Sequence, residues 1–187
     1  MQEDIDLILD DAATTMKKAI NHLEVELSKI RAGKVSPTML DGITVDYYGS
    51  PTPINQVANV TVQDARTLTI QPWERNMLAA IDRAILGANI GVTPQNDGVQ
   101  IRIFMPPLTE ERRKEFVKKA AGECEHGKIA IRNIRRDAIE QIKKLQKEGL
   151  SEDAAKDAEK VVQETTDKYI QLVEKHLAAK EKEIMAI

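Results

Sequence analysis

Cationic side chains at Lys128, Arg132, Arg135 or Arg136, and Lys143 follow one another at steps of three, four and about seven residues, which lays them along one side of a helix. A stripe of this kind suits a phosphate backbone. Arginine offers a planar fork for bidentate contact, and a rigid helix holds several forks at fixed separations, so binding has little left to order. The same spacing also describes a solvated helix face, or a row of partners for acidic neighbouring helices. Charge counting alone leaves these readings open.

Other reactive residue types do not assemble. In Cys124-Glu125-His126 the outer residues are two apart, so on a helix they point to nearly opposite sides and cannot hold one ion. Cys124 reads as core filler. Glu123 and His126 fit the Glu-x-x-His spacing of di-iron bundles, but such a site needs two copies and two further glutamates, and only one copy exists. His22 and His176 lack companions of that pattern. Gly87-Ala88-Asn89-Ile90-Gly91 lacks the lysine and the strand-to-helix setting of a phosphate loop, and no nucleophile elbow or Ser/His/Asp arrangement is found. The expectation is a non-enzymatic chain without metal or cofactor. Tyr47, Tyr48, Trp73 and Phe104 form no single-strand RNA-reading pattern, and the two tyrosines are expected at a core and an edge.

The stripe lies in a chain of 187 residues with formal net charge -3, distributed unevenly. Met1 to Ile30 holds three basic and seven acidic residues, and Glu148 to Ile187 holds six and ten. Arg112 to Lys147 holds twelve basic residues against five acidic ones, so the positive field belongs to one segment. Single Cys124 forms no internal disulfide, and the acidic start lacks the pattern of an export signal, which together imply a reducing cytoplasm. No window approaches about 18 consecutive apolar residues, so no membrane span is expected.

Three segments carry helical periodicity. The first runs through Ile5, Ile8, Ala12, Met16, Ala19, Leu23, Leu27 and Ile30 and is expected to close near Ala32-Gly33. The second begins after Thr109 and repeats Val117, Ala120, Cys124, Gly127, Ile131, Ile134, Ala138, Ile142 and Leu145 up to Gly149. The third follows Ser151-Glu152-Asp153, with Ala158, Val162, Thr165, Tyr169, Leu172, His176 and Ala179 as its inward face. Each has one narrow apolar seam, so the three are expected to pack as a bundle.

Between Ile43 and Met105 the pattern turns to β-rich runs, ITVDYY, QVANVTV, TLTIQ and VQIRIFM, interrupted by a helix in ERNMLAAIDRAILGA whose apolar side is Met77, Leu78, Ile81, Ile85 and Leu86 and whose stop is Gly87. Turns are expected at Gly49-Ser50-Pro51-Thr52-Pro53, Gln63 to Arg66 and Asn96-Asp97-Gly98. The fold class is therefore α+β. An elongated three-helix bundle, residues 1–30 plus 107–187, carries a small, β-rich α/β domain inserted at 31–106. Two crossings of chain, Arg31 to Lys34 and Met105 to Pro107, join them, which makes Ala32, Gly33, Pro106 and Pro107 the expected hinge. The insert has six basic and six acidic residues and suits protein contacts better than RNA.

Lys29-Ile30-Arg31-Ala32-Gly33-Lys34, Leu40-Asp41-Gly42-Ile43, Tyr47-Tyr48-Gly49-Ser50-Pro51-Thr52-Pro53, Pro107-Leu108-Thr109-Glu110-Glu111-Arg112-Arg113-Lys114 and Ile131-Arg132-Asn133-Ile134-Arg135-Arg136-Asp137-Ala138 together resemble the ribosome recycling factor family over the whole chain. The resemblance implies an L-shaped, roughly tRNA-like monomer that binds the post-termination ribosome in the bacterial cytoplasm. With elongation factor G and GTP it would split the subunits, GTP hydrolysis belonging to the partner. It implies ribosomal RNA contacts of the large subunit at Arg132, the family's principal RNA-contacting arginine, and at Lys128, Arg135, Arg136, Arg31 and Lys34. Lys128 and Lys34 stand where the family commonly has arginine, keeping the charge without the fork.

Overall fold

In the computed structural model, which describes residues 1–30 and 33–186, the three periodic segments are helices: α1 (Gln2–Ser28), α3 (Glu110–Lys147) and α4 (Glu152–Met185). The shorter α2 (Leu78–Ala88) lies in the insert. The chain divides into two compact units, Met1–Ala32 with Glu110–Ile187, and Gly33–Thr109. Arg31 and Ala32, assigned to RNA contact and to the hinge respectively, lie outside the described residues.

The bundle is held by a thin seam. Met16, Ile20, Leu23 and Leu27 of α1 meet Ala120, Cys124 and Ile131 of α3 and Val173 and Ile184 of α4. Towards the other end, Ile5 and Ala12 pack with Ala138, Ile142, Ala155, Ala158 and Val162. Small side chains let the helices approach. A β-carbon on Gly127 would stand 3.4 Å from Leu23 Cδ2, so α1 and α3 are already in contact there. Ser151 caps α4, its Oγ accepting from the Ala154 N–H at 3.2 Å, with Glu152 and Asp153 favourable beside the helix N-terminus.

Two details of the bundle differ from expectation. α1 ends at Ser28, before the glycine, although Ile30 still seals the core. On α4 the buried positions are Thr166 and Val173, one residue on from Thr165 and Leu172, while Ala179 is exposed. Adjacent threonines conceal the phase: both hydroxyls donate to carbonyls one turn back, Thr165 to Val161 at 2.9 Å and Thr166 to Val162 at 2.8 Å, so either tolerates burial.

The insert contains β1 (Thr44–Tyr47) and β2 (Ser50–Pro53) as a two-stranded sheet. It also contains β3 (Ala58–Asp64), β4 (Thr67–Pro72), β5 (Pro94–Asn96) and β6 (Ile101–Phe104) in a sheet of order β3-β4-β6-β5, antiparallel throughout. Leu68, Ile70, Ile101 and Ile103 share one core with Ile81 and Ile85 of α2.

Ser50–Pro53, expected as a turn, is a strand paired with β1, and the turn is Tyr48-Gly49, both left-handed at φ 49° and 86°. The prolines are tolerated because Pro51 and Pro53, two apart, aim their missing donors at the same unpaired edge. Gly87 lies inside α2, which ends where Asn89 takes φ 51°, and Leu86 is exposed. Asparagine is the common substitute for glycine in that cap. Among the described residues no helix is long and apolar enough to cross a membrane.

Candidate nucleic-acid interface

α3 is 38 residues long, about 57 Å at the usual rise of a helix, and its core residues Ala120, Cys124, Ile131, Ala138 and Ile142 fix which side faces its neighbours. The basic stripe lies beside that seam. Arg132 is 52% exposed at its side chain, with one guanidinium nitrogen 3.4 Å from Glu125 Oε1 two turns back. A pair so open to water contributes little and yields readily to a stronger anion. Arg136, the next turn along, is also exposed. Lys143 continues the exposed line.

Lys128 and Arg135 belong to the same stripe but lean towards α4. Lys128 is only 19% exposed at its side chain, and its ammonium is 3.6 Å from Glu174 Oε1. Arg135 donates through Nη1 to Gln163 Oε1 at 3.0 Å, and Gln163 donates to Asp167 Oδ1 at 2.8 Å. Two of the four central cations are therefore braced by the neighbouring helix, while among the described residues Arg132 and Arg136 make no ion pair or hydrogen bond with it. The solvated-face reading and the acidic-partner reading each describe part of the stripe. Sequence alone missed the braces, because they depend on the phase of α4; the signal available was the Gln163 and Asp167 pair at i, i+4.

Gly33, Lys34, Pro106 and Pro107 lie in the second unit. Lys34 is exposed. Gly33 is buried with φ +78°, and a β-carbon there would stand 3.0 Å from Leu108 Cγ, so the incoming and outgoing crossings touch at this glycine. Pro106 and Pro107 are exposed and lie in no regular structure between β6 and α3.

The other candidate chemistries have plain environments. Cys124 is buried in the bundle core, and burial pushes its thiol up from the ordinary value, away from reactive thiolate. His126 is exposed on the other side of the helix, and His176 Nε2 is 3.2 Å from Glu24 Oε1. Among the described residues no three histidine, cysteine or carboxylate side chains are grouped so as to hold a metal ion. In the insert, Tyr47 is half-buried and Tyr48 exposed, and both hydroxyls donate to the Glu74 carboxylate, at 2.8 and 2.9 Å. That contact raises the Tyr47 phenol, since losing its proton would set two negative charges together.

Comparison with known proteins agrees with the resemblance. A family model, Ribosome recycling factor, matches residues 23–185. The ribosome-recycling factor of Flavobacterium johnsoniae is 56% identical over 187 residues, 100% of both chains. That of Cytophaga hutchinsonii is 55% identical over 185 residues, 99% of this chain and 100% of its own. A solution structure of the ribosome recycling factor, 38% identical, superposes with TM-score 0.76 over 98% of each chain. A further neighbour comes from models for the T. thermophilus ribosome recycling factor and the E. coli elongation factor G bound to the E. coli post-termination complex. It is 42% identical, with TM-score 0.61 over 97% of this chain and 99% of that one. These structures share the architecture described above, a bundle of long helices into which a small sheet domain is inserted. Matched along nearly its whole length by sequence and by fold, the chain belongs to the ribosome recycling factor family.

Proposed function

We propose that this chain is a non-catalytic translation factor that docks on the post-termination ribosome through α3 and, with elongation factor G and GTP, separates the subunits. GTP is hydrolysed by the partner; this chain supplies attachment and leverage. The carrying observation is the exposure of Arg132 and Arg136 on consecutive turns of one 38-residue helix, with Lys128 and Arg135 braced beside them.

The phosphates belong to large-subunit ribosomal RNA, with Arg132 as the principal contact and Lys128, Arg135, Arg136, Arg31 and Lys34 adding to it. Phosphate contacts position a protein without reading sequence, which suits a docking role. The naming of a related factor together with elongation factor G on a post-termination complex supports the choice of partners. The factor acts as a cytoplasmic monomer. The insert, residues 31–106, swings about Ala32, Gly33, Pro106 and Pro107 and receives the push; the irregular chain at Pro106-Pro107 supports this.

The test is co-sedimentation with post-termination ribosomes, followed by light scattering after elongation factor G and GTP are added. Binding is expected without the partner, and a fall in scattering only when factor, partner and nucleotide are all present. Failure to bind, or subunit separation that proceeds equally well without this chain, refutes the proposal.

A further inference from the structure

A guanidinium that meets phosphate binds better when it is already held in position, because a free arginine must first lose its rotamer freedom. Of the four central cations of the stripe, Arg135 is the one whose guanidinium is held through a relay. Its Nη1 is engaged by Gln163 Oε1 at 3.0 Å. Its Nε is buried and, among the described residues, has no hydrogen-bond partner. One flank of the group is thus enclosed at Nε and the other is engaged at Nη1, which leaves the Nη2 end of the fork for an outside acceptor.

The relay is also ordered. Asp167 Oδ1 accepts from Gln163 Nε2 at 2.8 Å. An ionised carboxylate only accepts, so it fixes the amide group of Gln163 with its oxygen turned to Arg135. Arg135 therefore rests on a neutral acceptor, while the negative charge stands one residue removed. A carboxylate directly on the guanidinium would compete with phosphate; an amide does not.

We propose that Gln163 and Asp167 of α4 are positioning residues for RNA binding, holding the Arg135 guanidinium ready for a phosphate oxygen, so that α4 contributes to ribosome affinity without touching RNA. This rests on the docking reading above. The competing account is a strap that merely ties α4 to α3.

Ribosome affinity and thermal midpoint of the full chain separate these accounts, measured for Arg132→Ala, Arg135→Ala, Gln163→Leu, Asp167→Ala, Asp167→Asn and the double variant Arg135→Ala/Gln163→Leu. Gln163→Leu and Asp167→Ala are each expected to weaken binding about three- to tenfold, and Gln163→Leu to add nothing once Arg135 is alanine. Asp167→Asn offers a donor as well as an acceptor, so it no longer fixes the Gln163 amide one way round, and its binding is expected between that of Asp167→Ala and the parent. Midpoints of the Arg132, Gln163 and Asp167 single variants should not move, since those side chains are exposed. The inference is overturned if Gln163→Leu binds like the parent while Arg135→Ala is weak, if the loss persists without Arg135, or if it follows a lowered midpoint. If Arg132→Ala and Arg135→Ala both bind like the parent, the docking reading itself has failed and the inference falls with it.

Discussion

The two units divide charge and packing in opposite ways. In the bundle, twelve basic residues gather between Arg112 and Lys147, while acidic residues outnumber basic ones seven to three up to Ile30 and ten to six from Glu148 onward. The insert has six of each sign. Packing runs the other way: the bundle seals a long seam with small side chains such as Ala12, Ala138, Ala155 and Ala158, whereas the insert gathers Leu68, Ile70, Ile81, Ile85, Ile101 and Ile103, all fully buried, into one centre. Length and segregated charge, both present in the bundle, suit the docking proposed for it, and a firm centre without a strong field suits the part proposed for the insert.

Substitutions that act on one unit alone sharpen this contrast. The largest effect belongs to the insert core: Ile81→Ala should destabilise by about 2–5 kcal/mol, as deletion of a fully buried aliphatic does. Since among the described residues the buried cluster of the insert is separate from those of the bundle, thermal unfolding followed by circular dichroism should show the insert melting early while the helical signal of the bundle persists. A single transition shifted as a whole would break the comparison.

Next, Arg132→Ala should cost about 1.5–3 kcal/mol in ribosome affinity, the worth of a charge-assisted hydrogen bond, while Arg83→Ala on the insert should stay within about 0.5 kcal/mol. Co-sedimentation distinguishes the two, and equal losses would remove the stripe's special standing. Gly33→Ala places a β-carbon at φ +78° against Leu108 and should cost about 1–2 kcal/mol. Its functional signature would be normal binding with slower subunit separation. Unchanged light-scattering rates would argue against a working hinge there.

The smallest effect is acid sensitivity of the β5–β6 turn. Backbone N–H groups of Gln100 and Val99 hold the Asp97 carboxyl below its ordinary value. A depressed folded value means the stabilisation is present above the unfolded value and fades as pH falls through the folded one. The Val99 and Gln100 amides should therefore lose protection from exchange, beyond the intrinsic pH effect, only below the usual carboxylate range. Loss already at neutral pH would contradict this.

Much of the fold was legible because its signals are local and redundant. Steps of three and four over dozens of residues mark α1 and α3, Ser151 caps α4 as its type predicts, and the family motifs are spread over the chain. What escaped depends on relations between segments. Two prolines disguise β2, and only its single neighbour β1 explains how they fit. The α4 seam slips because a helix turns every 3.6 residues, so a face read in threes and fours drifts over its length. That slip decided the site as well. Without the correct phase of α4, the spacing of Gln163 and Asp167 pairs them with each other but does not mark them, or Glu174, as partners of Arg135 and Lys128.

The central claim is that α3 holds the chain on the ribosome through phosphates, and its most direct test is the affinity for ribosomes as a function of salt. With Lys128, Arg132, Arg135 and Arg136 engaged together with Arg31 and Lys34, the logarithm of the binding constant should fall with the logarithm of salt at a slope of about −4 to −5, or roughly 0.7–0.9 per phosphate, and Arg132→Ala should flatten it by nearly one such step. A slope near zero, or one that Arg132→Ala leaves unchanged, would contradict the account.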